Sequence, residues 1–402
     1  MDKKNKNPNV PNLRYYHSDK LSKVKLGNIC SITGGYAFDS RKMKSKGEYQ
    51  IIKMGNLYNG VLDLTRNPSF IDNPTKKELE YLIHKNDILI TLTGTVNKKD
   101  YGYTVQLNNP NNLLLNQRCA LIKPLKINEK YLFYLLNSNN FFKQFYASST
   151  GGTGNQTNVS INDMLNFNMY IANEKNQIII SEFLNKIDQR IETQIKIISS
   201  IESQIKSINN HVAFDSATNE LSIGNLFDIK TNSKILEKHD GKYCIVDMGT
   251  IDSNGNYITG KYTDDITSIL TKGTLVMPKD DIGGGKIICK TLYINESNKY
   301  VLSDHVFALK LRNSKYNPLY FSSLINSQYH NHNLKRLVTG SAQLGINQEN
   351  LNKYKLRFSD CLELQKKYSK LIQLINEKLF IEKKLLYDLY NQKNYLMKNM
   401  FI

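Results

Sequence analysis

Residues 177–208 read QIIISEFLNKIDQRIETQIKIISSIESQIKSI. Ile180, Leu184, Ile187, Ile191, Ile198, Ile201, Ile205 and Ile208 recur at helical spacing, and only Gln177 and Gln194 break the series. Charges fall on the other positions, and neither Pro nor Gly occurs from 173 to 210. The pattern predicts one amphipathic helix of coiled-coil type, roughly 45–50 Å long at about 1.5 Å per residue. Such a helix needs a partner for its apolar side. The C-terminal segment supplies one, with Leu364, Tyr368, Leu371, Ile375, Leu379, Leu386, Leu389 and Leu396 on one stripe. Glu382 and Lys393 occupy stripe positions there. Ile187, Ile191, Ile198 and Leu371, Ile375, Leu379 are the expected seam, with Gln194 a candidate for fixing its register.

What precedes each helix is also duplicated. LSIGNLFDIKTN (221–232) echoes KLGNICSITGG (25–35). Tyr243–Met248 echoes Tyr49–Met54, and KGTLVMPKDDIGGG (272–285) echoes KNDILITLTGTVN (85–97). YVLSDHVFALKL (300–311) echoes LLNQRCALIKPL (114–125), and YNPLYFSSLINS (316–327) echoes NEKYLFYLLNS (128–138). SSTGGTGNQTNVS (148–160) and RLVTGSAQLGIN (336–347) then close the two copies. Short apolar runs between Gly and Asn clusters read as strands. A period near 190 residues marks a duplicated module rather than a solenoid. The expected fold is α+β: two similar mixed α/β domains, 1–172 and 211–358, joined by helices at 173–210 and 359–402. The helices pair as an antiparallel coiled coil with pseudo-two-fold symmetry.

Composition narrows the function. No apolar run approaches the ~18 residues of a membrane span. The basic N-terminus lacks the apolar core of a signal peptide, so a cytoplasmic protein is expected. Cys30, Cys119, Cys244, Cys289 and Cys361 form no CxxC and read as incidental thiols in a reducing compartment. The formal charge is +18, and residues 1–172 hold +11 of it (23 basic less 12 acidic). That excess favours a polyanion.

Catalytic signatures are missing. GGGK at 283–286 has Asp280 where a P-loop has its first Gly, and Ile287 where it has Ser or Thr. GGTGNQ at 151–156 fails GxGxxG at its last position. No HExxH occurs, and His330 with His332 read as surface histidines. Asp215 with Asp228 and Lys230 has a loose nuclease-like spacing that the repeat does not keep. Asn109-Pro110-Asn111-Asn112 is not the tetrapeptide of an adenine methyltransferase. Two basic domains on a rigid spacer instead suit double-stranded DNA with two half-sites, spaced roughly 34–36 Å apart.

The residues that carry a family resemblance stand in order. Pro11-Asn12-Leu13-Arg14-Tyr15 opens the chain, and Leu26-Gly27-Asn28-Ile29 and Ile223-Gly224-Asn225-Leu226 open the domains. Strand-then-Gly runs follow at Asp87–Gly94 and Thr274–Gly285. Gly154-Asn155-Gln156 through Ser160-Ile161, and Gly340-Ser341-Ala342-Gln343 through Ile346-Asn347, precede the helices. Over essentially its whole length the chain resembles the specificity subunit of a type I restriction–modification system. The second loop departs in having Leu344-Gly345 where a Pro-Asn pair is common.

The resemblance implies two target recognition domains, each reading half of a split sequence. It implies helices that set the gap and dock two methyltransferase subunits, which methylate adenine N6. Two motor–nuclease subunits complete the restriction complex. S-adenosylmethionine, ATP and Mg belong to those partners, and this chain binds no cofactor. Two other readings stay open: a catalytic nuclease or modification enzyme, and a coiled-coil scaffold without sequence-specific DNA binding.

Candidate DNA-binding residues follow from chemistry. Thr33, Gly34 and Tyr36, with Arg41 and Lys42, join a bendable loop to an aromatic and two cations. Lys98, Lys99 and Tyr101 form a second loop of that kind, and Gln117-Arg118 is a pair of the type used bidentately on A and G. Thr153, Asn155 and Gln156 lie in the closing loop. Lys230, Thr231 and Lys234 are the second-domain counterparts of the first loop. Lys279 and Lys286 flank the Gly triplet, Asp304-His305 corresponds to Gln117-Arg118, and Gln343 lies in the second closing loop. For each lysine the competing reading is a solvated surface charge, and for Arg118 a salt bridge.

Overall fold

The computed structural model describes residues 21–58, 60–107, 110–151, 155–214, 217–258, 260–340 and 343–401. Thr153, Asp215, Ser341, Ala342 and the opening Pro11–Tyr15 motif lie outside them. The chain divides into two compact units, Met1–Thr193 with Leu386–Ile402, and Gln194–Leu385.

In the first unit a four-stranded antiparallel sheet runs in the order Cys30–Gly34, Cys119–Pro124, Ile88–Thr91, Thr104–Gln106. Its central strands are apolar on both faces, and alternation sorts them into two cores. Ile88, Ile90, Ala120 and Ile122 pack with Phe141, Phe145 and the long helices. Leu89, Cys119 and Leu121 face the other way, onto Ile52, Leu57 and Leu115. That second core is floored by a three-stranded sheet in which Leu113–Leu115 lies parallel to Tyr49–Ile52.

The second unit repeats this arrangement. Its main sheet runs Phe227–Lys230, Val306–Leu311, Leu275–Pro278, Leu292–Tyr293. Leu275, Met277, Phe307 and Leu309 join one core, while Val276, Val306 and Ala308 join the other. Tyr300–Leu302 lies parallel to Tyr243–Val246. The helix-like segments after each long strand are broken in two by serine. Ser138 accepts from the Phe141 N–H and Ser327 from the His330 N–H, each starting a second short helix.

The central helix spans Glu174–Phe214, running past its expected end at 210, and the C-terminal helix spans Leu362–Met400, within the expected 359–402. In the first unit Ile180, Leu184, Ile187 and Ile191 pack with Leu389, Leu396, Met397 and Met400. Asp188 accepts from Lys393 at 2.6 Å and from the Tyr134 hydroxyl at 2.8 Å. In the second unit Gln194 meets Glu382, Glu202 meets Lys383 and Asn209 meets Tyr368. From Asp188 with Lys393 to Asn209 with Tyr368 the partner moves back along the C-terminal helix as the central helix advances, so the pairing is antiparallel.

Ile187, Ile191 and Ile198 are buried seam residues. Leu371 is a correction, because it is 45% exposed while Ile372 beside it is 3% exposed. Buried Gln365, Tyr368, Ser369 and Ile372 show that the helix face rotates by one residue there. Ile375 and Leu379 are only half-buried. Both polar breaks in the central helix have partners. Gln177 accepts from the Asn128 N–H and donates to the Ala172 carbonyl, tying the helix start to its domain. Gln194 donates to both the carboxylate and the carbonyl of Glu382.

No described helix is long and apolar enough to cross a membrane. Cys30, Cys119 and Cys289 are buried, and burial pushes their thiols up to about 12.

Candidate nucleic-acid interface

Three segments meet at one edge of the first unit because the backbone stitches them together. The Gly35 N–H donates to the Cys119 carbonyl, and the Gln117 N–H donates to that of Tyr36. A Cβ on Gly35 would stand 2.2 Å from the Asn116 carbonyl oxygen, so only glycine permits this approach. The Leu92 N–H donates to the Arg118 carbonyl at 3.0 Å, and the Val159 N–H to that of Leu92 at 3.1 Å. Gln156–Asn158 then pairs with Thr93–Thr95. The described parts of SSTGGTGNQTNVS, Thr150–Gly151 and Gln156–Asn158, therefore form a strand pair that returns onto Thr93–Thr95.

The second unit uses the same bonds, displaced by 187 residues. The Lys279 N–H donates to the His305 carbonyl at 3.0 Å, and the Ile346 N–H to that of Lys279 at 2.9 Å. Asp280 pairs with Gly345 as Thr93 does with Asn158. Gln343 thus stands where Gln156 stands, and Asp304-His305 where Gln117-Arg118 stands. The loop after Lys230 is stitched to the same turn, with Asn232 donating to the Leu302 carbonyl and the Ile235 N–H to the Ser303 hydroxyl.

Most of the sequence candidates fall along these edges. Thr33, Lys42, Lys98, Lys99, Gln117, Arg118, Asn155 and Gln156 are exposed in the first unit. Lys230, Thr231, Lys234, Lys286 and Gln343 are exposed in the second, with Lys279 and His305 half-buried. Arg118 makes no ion pair among the described residues. Arg41, by contrast, is forked onto the Asp39 carboxylate at 2.9–3.2 Å. That guanidinium holds Asp39 below the usual carboxylate range. The ammonium of Lys99 lies 5.3 Å from the ring centre of Tyr146.

One candidate turns out to be structural, and two more are partly covered. Tyr101 is 3% exposed and packs against Phe145 and Tyr146, so its ring cannot reach a nucleic acid. The helix Asn139–Ala147, distant in sequence, is what covers it. Tyr36 is half-buried against Phe38 and Tyr81, and Gly34 is half-buried in its strand. His330 is fully buried, contrary to the surface reading. Among the described residues no His, Cys, Asp and Glu group could hold a metal.

The Gly triplet is likewise not an anion nest. Asp281 is buried, and its carboxylate accepts from the N–H groups of Gly283, Ile287 and Ile288. Those donors are spent inward, and a second anion there would meet the carboxylate. Asp281 was legible as a turn former two residues before Gly283. Asp280, which clamps His305 at 2.7 Å, carried no such local signal.

Comparison with known proteins accords with this duplicated edge. Residues 19–203 and 217–389 match the type I restriction modification DNA specificity domain, once per repeat. A type I specificity subunit of Mycoplasma genitalium is 20% identical over 412 residues, covering 98% of this chain and 96% of the relative. The crystal structure of a type I restriction–modification S subunit from M. genitalium superposes with a TM-score of 0.63 at 16% identity, covering 96% and 97%. A structure from work on complex assembly and conformational transition of the type I system gives 0.55 at 11% identity, covering 94% and 96%. The family match alone spans most of both repeats, and the chain therefore belongs to the type I restriction–modification specificity subunits, which supply the DNA sequence address and are not themselves catalytic.

Proposed function

We propose that this chain reads a split duplex target, one half with each of the domains 1–172 and 211–358. Its helices, 173–210 and 359–402, hold the gap and seat two methyltransferase subunits. Two motor–nuclease subunits join in the restriction form. S-adenosylmethionine serves adenine-N6 methylation on the methyltransferases, and ATP with Mg²⁺ serves the motor subunits.

The observation that carries this reading is the repeated hydrogen-bond register, which brings equivalent loops to one edge of each unit. Exposed Lys and Arg there suit phosphate contacts, and Gln117, Arg118, Gln156 and Gln343 suit base edges. The partner reading is supported by the C-terminal helix. Leu371, Leu374, Ile381 and Leu385 follow one helical stripe and are all exposed, a pattern suited to a second helix.

Co-expression with the methyltransferase subunit, followed by genome-wide mapping of modified adenines, tests it. A split motif with a constant gap is expected. Exchanging residues 1–172 for those of a relative should change one half of the motif only. Unmodified DNA, or a change in both halves, sinks the reading.

A further inference from the structure

We propose that Arg118 reads a guanine in the half-site bound by the first unit, and that the equivalent turn of the second unit does not accept guanine. The inference rests on the DNA-reading role proposed above and adds the base that each turn selects.

Arg118 is held as a reading residue should be. Its carbonyl is fixed by the Leu92 N–H, and the Cys119 N–H donates to the carbonyl of Asn116 across the same turn. The turn bridges two sheets through the Asn116–Tyr36 pairing. Among the described residues nothing acidic neutralises the side chain, whereas Arg41 is forked onto Asp39 and Arg312 lies 2.8 Å from Asp228. A rigid backbone with a free guanidinium keeps its donor fork open for a ligand. In the major groove guanine offers two acceptors, O6 and N7, at the spacing of that fork. Gln117 is exposed beside it.

The second unit puts different chemistry on the same backbone position. His305 takes a positive φ of 59°. Its Nδ1 lies 2.7 Å from Asp280 and its Nε2 3.4 Å from Asp304. Both ring nitrogens face carboxylates, so the turn presents no unpaired cation among the described residues. Guanine's O6 and N7 would meet carboxylate oxygens there and be repelled. Adenine N6 and cytosine N4 carry donors that such oxygens accept. The first unit's counterpart of Asp280 is the uncharged Thr93, which donates to Asn158.

The test is the methylated motif of the full chain co-expressed with its methyltransferase subunit. The wild-type motif should carry a guanine in at least one half. Arg118→Gln should change that guanine, toward adenine, and leave the other half intact. Discrimination at that base should fall roughly tenfold to a hundredfold. Giving the second turn the first turn's residues, with Asp280→Thr, Asp304→Gln and His305→Arg together, should bring a guanine into the other half. If Arg118→Gln abolishes methylation, duplexes bearing each of the four bases at that position are compared for binding to the purified complex. Melting of Arg118→Gln and Arg118→Lys controls for folding.

Equal loss on all four duplexes makes Arg118 a phosphate contact and overturns the proposal. An unchanged motif, or a wild-type motif without guanine, overturns it too while leaving the split-target reading standing. A wild-type complex that modifies no adenine instead brings down the functional reading itself.

Discussion

His330 lies buried beside the Tyr354 hydroxyl, 2.9 Å from its Nδ1. Burial pushes its imidazole down to about 4. The folded value is below the ordinary 6.5, so the neutral form's contribution is complete above about pH 6.5. Between pH 6.5 and 4 the unfolded chain takes up a proton that the folded chain refuses. Stability should therefore fall by roughly 3 kcal/mol across that window. Melting from pH 7 to pH 4 should show a steeper decline in the wild type than in His330→Gln, and parallel curves would contradict the assignment. At this scale the sequence was a poor guide. His330 and Tyr101 sit beside polar or basic neighbours and read as surface residues, yet elements distant in sequence cover both. Arg118 was ambiguous because a salt bridge depends on which carboxylates fold close to it. Local sequence carries chemical type, and burial is decided by contacts it does not contain.

The long helices were legible as elements, because an apolar stripe over about thirty residues has few other solutions. Their seam was less so. Two successive steps of four, Leu371 to Ile375 and Ile375 to Leu379, depart from a strict heptad, and Ile372 is buried in place of Leu371. The two leucine-like neighbours should consequently behave very differently. Ile372→Ala should destabilise by about 2–4 kcal/mol through a core cavity. Leu371→Ala should stay within about 0.5 kcal/mol, yet weaken capture of the methyltransferase subunit in a pull-down. Equal loss of stability in both variants would contradict the observed rotation. The strands were legible as runs but not as layers. Ile88–Thr91 is continuously apolar because both faces are covered, and periodicity cannot identify the two covers.

For the whole molecule the duplication was the most legible feature, since echoes in order survive even where individual motifs are weak. The echoes already set Asp304-His305 against Gln117-Arg118, and what they could not give was the set of hydrogen bonds that holds each turn. The formal charge of +18, concentrated before residue 173, sets the ionic-strength response. Duplex affinity of the complex should fall linearly in log–log form with salt. Replacing Lys98 and Lys99 by Ala should flatten that slope by up to about 2 if both touch phosphates. An unchanged slope would remove them from the interface. One further property follows from the seam. Gln177 and Gln365 make the same two bonds in their own repeats, to Asn128 and Ala172 and to Asn317 and Ser359. Their separation of 188 carries Gln194 onto Glu382, so the two residues that meet are the same position in successive copies. A module that pairs with its own duplicate has one such self-facing place. Two glutamates there would confront each other across a half-buried contact, whereas the amide donates to the carboxylate. The copies are complementary rather than interchangeable at this place, and a chain assembled from two second modules would carry a repulsion that this one lacks.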